Sequence, residues 1–160
     1  MISYASTVDR NYKRFASAHA NCDNVAYLHH PSGVTVLVLN QPLTSRVVNV
    51  DFGGSRKGGV DRADTKVSGR GKKGGLYLQP GTRVCTIECE DGTSVVVRAG
   101  VQGSLVEVND RLFDNPDLVR TSPENLGYIC VIMYGAQHRL PNGGFGKELP
   151  KKYVQIQMDE

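Results

Sequence analysis

The apolar residues of this chain fall in short clusters, not at helical spacing. Val25-Ala26-Tyr27-Leu28-His29-His30 and Val34-Thr35-Val36-Leu37-Val38-Leu39 are two extended runs flanking Pro31-Ser32-Gly33, which predicts a hairpin. Gln41-Pro42-Leu43 ends the second run. A third strand is expected over 45–52, where Arg46, Asn49 and Asp51 interrupt Val47, Val48, Val50 and Phe52. Further on, Leu76-Tyr77-Leu78 leads into a Pro80-Gly81 turn, and Arg83 to Glu90 alternates Val84, Cys85, Ile87 and Cys89 with polar neighbours. Asp91-Gly92 reads as a two-residue hairpin turn with both central residues at positive φ, and Thr93 to Arg98 is the return strand. Ser104 to Asn109 is extended. Asn109 or Asp110 caps a single helical turn that Pro116 closes. Gly127 to Met133 is the most apolar run and is expected to be central. Leu149 to Met158 fits a helix or a strand equally.

Seven or eight short strands with Gly/Pro turns predict a mainly β sandwich or barrel. Two segments stand outside that pattern. Near the start, Val8, Tyr12 and Phe15 recur at i, i+4 and i+7, so residues 1–20 are expected to form a short helix or an ordered arm docked on the body formed by 21–160. Residues 53–75 hold eight glycines, seven Lys/Arg, two Asp and almost nothing apolar, which predicts a long, mobile, basic loop. The run 135–146 is expected to be a loop as well.

Composition narrows the function classes. The 160 residues suit one domain, and with 39% apolar residues and no Trp the core must come mainly from Val, Leu and Ile. No run approaches the length of a membrane helix, and the first twenty residues lack an apolar leader core, so no membrane partner is expected. The modestly basic start, with Asp9 in its middle, gives a mitochondrial presequence little support. Four cysteines without a CxxC argue against a disulfide scaffold and for a reducing compartment.

Candidate chemistry is sparse. His29 and His30 are neighbours on a strand and point to opposite faces, so they cannot chelate one ion unaided and are expected to be a strand-end surface pair. Cys85 and Cys89 share a strand face but lie about 13 Å apart, too far to bond. They are expected to be small core residues, as is Cys130. There is no nucleophile elbow. The run Gly69-Arg70-Gly71-Lys72-Lys73-Gly74-Gly75 lacks the GK[ST] ending of a phosphate-binding loop. No catalytic residue, metal ligand or cofactor is assigned, and the chain is expected to be a monomeric binding protein. Its candidate contact residues are Arg56, Lys57, Arg62, Lys66, Arg70, Lys72 and Lys73, a cationic array suited to an acidic protein surface and less so to nucleic acid, since no aromatic is there to stack bases.

The order Gly103-Ser-Leu-Val-Glu107-Val-Asn109, Asn115-Pro116-Asp117-Leu118-Val119 and Gly127-Tyr128-Ile129 resembles the second half of the glycine cleavage system H protein. More of the chain is similar to the related Abitram (Simiate) family: Val8-Asp9-Arg10, the hairpin around Cys22, His29-His30 and Val34 to Leu39, Lys66-Val67-Ser68-Gly69, Lys72-Lys73-Gly74, and Cys85, Ile87, Cys89 and Asp91-Gly92 in order. The linker from Gly53 to Asp64 and the segment 135–146 depart from that pattern. The resemblance implies a lipoyl/biotinyl carrier-like barrel-sandwich hybrid with short helices at the N-terminus and after the Glu-Val-Asn strand. Counting back from Gly103 by the H-protein spacing places the lipoyl-lysine position on Glu90-Asp91-Gly92-Thr93, at Asp91 and Gly92, where no lysine stands. The resemblance thus implies a non-lipoylated, non-catalytic protein that binds actin and is linked to filament assembly, nuclear speckles and transcription. Two alternatives are an H-protein-like docking module in a larger assembly and a nucleic-acid-associated protein.

Overall fold

The computed structural model describes residues 2–5, 8, 11–19, 22–53, 76–133, 145–150 and 153–156. Among them the chain is mainly β. The strands are β1 (Ile2–Ala5), β2 (Lys13–Ala16), β3 (Val25–His29), β4 (Val34–Leu39), β5 (Val47–Asp51), β6 (Leu76–Leu78), β7 (Arg83–Cys89), β8 (Ser94–Arg98), β9 (Gly103–Val108), β10 (Cys130–Met133) and β11 (Tyr153–Ile156). Two single helical turns, α1 (Arg111–Asp114) and α2 (Leu118–Thr121), fill the β9–β10 connection. A six-stranded sheet runs β2-β3-β4-β10-β9-β6, a three-stranded sheet runs β5-β7-β8, and β1 pairs with β11. The sheets are open, so the expected carrier-like fold is a sandwich of two sheets without barrel closure.

The core forms where the two larger sheets meet. One apolar cluster joins Tyr27, Leu37, Leu105 and Ile132 of the large sheet to Val50, Cys85, Ile87 and Val97 of the small one. The outer face of the large sheet carries a second cluster, in which Ala26, Leu28 and Val38 are covered by Val8, Tyr12, Val36, Tyr128 and Leu149. This two-sided burial explains why β3 and β4 are nearly unbroken apolar runs, while β7 and β8, covered on one face, alternate. The central position expected for the Gly127 to Met133 run holds for β10, which lies between β4 and β9.

Several expectations are corrected. Near the start, one helical turn is closed by Tyr12 N–H donating to the Val8 carbonyl (2.8 Å), but Lys13–Ala16 continues as a strand. Val8 and Tyr12 therefore pack in the outer cluster and Phe15 in the main core, not on one helical face. Strand pairing with β3 wins because a helix this short gains little by itself. The single turn expected after Asn109 is α1, which ends ahead of Pro116 as expected, but a second turn, α2, follows it. Asn109, not Asp110, supplies the cap: its Oδ1 accepts the Arg111 N–H at 3.2 Å, and its Nδ2 donates to the Leu126 and Tyr128 carbonyls. Residues 153–156 are strand. The basic loop from residue 54 to 75, and with it Arg56, Lys57, Arg62, Lys66, Arg70, Lys72 and Lys73, lies outside the described residues, as does 134–144.

Candidate functional site

The hairpin joining β7 to β8 is the place where a carrier would hold its arm. Its hydrogen bonds correct the two-residue turn. Cys89 N–H donates to the Thr93 carbonyl (2.8 Å) and Gly92 N–H to the Cys89 carbonyl (3.0 Å). The loop is therefore the three residues Glu90, Asp91 and Gly92. Gly92, with φ 91°, takes the left-handed position that such loops give to glycine.

The tip is exposed but braced. Glu90 N–H donates to the Arg46 carbonyl at 2.8 Å, and Asp91 N–H to Ser45 Oγ at 3.1 Å. The Asp91 carboxylate accepts the Thr93 N–H at 2.9 Å, and the hydrogen bonds to Thr93 hold its pKa below the ordinary value of 3.8. The Arg46–Glu90 ion pair, at 3.8 Å between side chains about two-thirds exposed, contributes little. The strap over 45–47 is held from its other side as well: Asp117, just ahead of α2, accepts the Val47 N–H at 2.8 Å and a bidentate contact from Arg120 at 2.7 and 2.6 Å. The hairpin tip, the strap and α2 thus form one hydrogen-bonded unit.

Arg120 is the largest cause holding the Asp117 pKa below 3.8, followed on the lowering side by the Val47 N–H. A carboxylate depressed in the folded state stabilises it above the unfolded value, and that contribution disappears as pH falls through the folded pKa. Asp117→Asn is therefore expected to be less stable than the native chain at pH 7. The gap should close progressively once pH drops below about 3.8. Urea midpoints for both proteins across that range would check this, and a gap unchanged at low pH would refute it.

The lipoyl group that the fold family implies does not fit this tip. Amide attachment needs a primary amine, and Glu90, Asp91, Gly92 and Thr93 offer none. The described lysines, Lys13 and Lys147, lie on β2 and on the segment hydrogen-bonded to it. No cysteine replaces the lysine as a nucleophile. Cys22, Cys85, Cys89 and Cys130 are buried and not in disulfides, and burial raises the thiol pKa of Cys22, Cys89 and Cys130. Cys85, Cys89 and Cys130 are core residues, as their strand positions predict.

His29 and His30 do point apart at the end of β3, and both are half-buried. The His29 ring lies edge-on to Phe15 and Phe145, with Nδ1 3.0 Å from Thr35 Oγ1. The His30 ring meets Tyr12 and Ser32. Among the described residues no three His, Cys, Asp or Glu side chains are placed to hold a metal, and no helix is long and apolar enough to cross a membrane.

Sequence reasoning located the turn but missed its brace. Asp117 and Arg120, at i and i+3, were open to recognition as a local pair. The contacts of Ser45 and Arg46 to the tip, more than forty residues away in sequence, left no local signal.

Comparison with known proteins matches this arrangement. The family model for the glycine cleavage H-protein matches residues 54–151, more than half of the chain and including the hairpin. An uncharacterised protein of Caenorhabditis elegans is 56% identical over 150 residues, covering 94% of each chain. Proteins named Abitram from Xenopus tropicalis and Homo sapiens are 27% and 28% identical, covering 83% and 80% of this chain and 76% and 74% of theirs. A solved glycine cleavage system H protein from Mycobacterium marinum shares the fold with a TM-score of 0.50 at 15% identity, covering 77% of this chain and 84% of that one. The chain belongs to the glycine cleavage H-protein family and, within it, is a homologue of the proteins named Abitram.

Proposed function

We propose that this chain is a non-catalytic binding protein of the Abitram type, a monomer of the nucleus and cytoplasm that binds actin and influences filament assembly and transcription. The observation that sets the chain apart from a lipoyl carrier is the hairpin: braced and exposed as a carrier tip would be, yet bearing Asp91-Gly92 in place of the lysine. The actin part rests on the family resemblance and on charge. Arg56, Lys57, Arg62, Lys66, Arg70, Lys72 and Lys73 give one segment a cationic character that an acidic filament surface attracts.

Two measurements test the proposal. Intact mass of the protein from a lipoylating host should show no lipoyl adduct. The protein should pellet with actin filaments at low salt, less at moderate salt, and less again when Arg70, Lys72 and Lys73 are neutralised. An adduct on any lysine overturns the first part, and no pelleting at any salt overturns the second.

The preserved hairpin favours one other reading, a docking module that kept the carrier surface without the arm. A pull-down dominated by glycine-cleavage or lipoylation enzymes would replace the actin reading with this one. RNA binding with a steep salt slope, abolished by the same three neutralisations, would instead assign the segment to nucleic acid.

A further inference from the structure

Beside the hairpin strap the surface is indented. A groove of about 360 Å³ runs between the chain that leaves β4 and the α2 region. Leu43, Pro42 and Pro123 form its apolar walls, with Leu39 and Val119 buried at its base. All of its lining residues belong to the described chain. Its volume is at the small end of ligand pockets, and exposed residues such as Asn40, Gln41 and Pro42 form one side, which suits a side chain or two of a polypeptide better than an enclosed small molecule.

The charge next to this groove is mainly acidic among the described residues. From Leu43 the chain passes through Ser45 and Arg46, whose hydrogen bonds lead directly to the tip. There Glu88, Glu90 and Asp91 are all exposed, and Glu90 pairs with Arg46 at 3.8 Å. The groove's own charge is neutralised, because Arg120 is paired with Asp117. An apolar slot therefore adjoins an acidic rim. Hydrogen bonds to Ser45 and Arg46 hold the tip, and backbone hydrogen bonds hold the α2 side of the groove, so a partner meets a partly pre-ordered surface.

We infer that this groove and the acidic tip together dock a polypeptide segment that presents lysine or arginine next to one or two aliphatic side chains. The aliphatic groups enter between Leu43 and Pro123, and the cations meet Glu90 and Asp91. This goes beyond the actin proposal and is independent of it. An acidic filament surface is repelled by this rim, so the partner here is of opposite charge to actin.

The full-length ¹⁵N-labelled protein can be titrated with two synthetic peptides, one of alternating lysine and leucine and one with glutamate in place of lysine. The expected result is saturable shifts of the Leu43, Glu90, Val119 and Arg120 amides with the lysine peptide only. Glu90→Lys and Leu43→Ser should each weaken binding about tenfold, the scale of one contributing interface residue. Glu90 is two-thirds exposed, so its substitution leaves the fold intact and serves as the reading should Leu43→Ser unfold. Equal binding of the glutamate peptide, shifts centred elsewhere, non-saturating shifts, or native affinity in Glu90→Lys would each overturn the inference.

Discussion

Glu124→Ala is expected to lower stability by about 3–5 kcal/mol, the cost of removing one member of a buried ion pair. Arg14 lies on β2 with its side chain 2% exposed, and Glu124, in the turn after α2, is 15% exposed. The guanidinium Nε and Nη2 donate to the two carboxylate oxygens at 2.7 and 2.6 Å, and Nη1 reaches the Pro150 carbonyl at 3.3 Å. One side chain thus ties together the N-terminal strand, the helical connection and the C-terminal segment. Removing the carboxylate takes the bidentate acceptor away from a buried guanidinium, against a total stability for a domain of about 5–15 kcal/mol. The double replacement Arg14→Met with Glu124→Leu should recover most of the loss, because it removes the charge along with its partner. Urea unfolding would measure both. A loss below about 1 kcal/mol in Glu124→Ala would show that the pair behaves as a surface ion pair.

The second large effect comes from a single methyl group. A Cβ at Gly127 would overlap the carbonyl of Leu118 and lie 2.8 Å from the Ser122 carbonyl oxygen. Both obstacles are backbone in the α2 turn, and Gly127 N–H itself donates to the Ser122 carbonyl at 2.8 Å. No side chain can rotate away. Gly127→Ala should therefore cost about 3 kcal/mol or more, at or above the upper end for overpacking. The entropy that alanine removes from the unfolded chain, roughly 0.4–1 kcal/mol, does not compensate. Gly81→Ala is the control, since a Cβ there meets nothing within 4 Å, and its effect should stay within about 0.5 kcal/mol. Thermal or urea melts giving the two variants equal stability would rule this packing account out.

That glycine also shows how far the family motif could be understood in advance. Gly103 and Gly127 both belong to the stretch that resembles H proteins. The structure gives each a packing reason: a Cβ at Gly103 would lie 2.6 Å from Ile132 Cγ2 and 2.9 Å from the Met133 carbonyl oxygen. Their place in the motif was legible, but their contacts were not. In the same way Asp117 stood out as part of a Pro-Asp-Leu segment, while its hold on the Val47 amide, 70 residues away, was not legible.

What the residues determined alone is most of the central strands. The hairpin β3–β4, the alternation of β7 and β8 and the apolar β10 follow from local pattern, because side-chain period and turn chemistry act within a few residues, and the missing lysine at the tip follows from the resemblance to H proteins. Only the tertiary structure decided that residues 13–16 extend a sheet, that 153–156 pair with 2–5, that Arg14 is buried against Glu124, and that the carrier-type turn is fastened to a strap and a helical turn. Those outcomes depend on partners from 10 to more than 150 positions away in sequence, or on backbone groups that any residue carries, and neither leaves a mark on a local pattern.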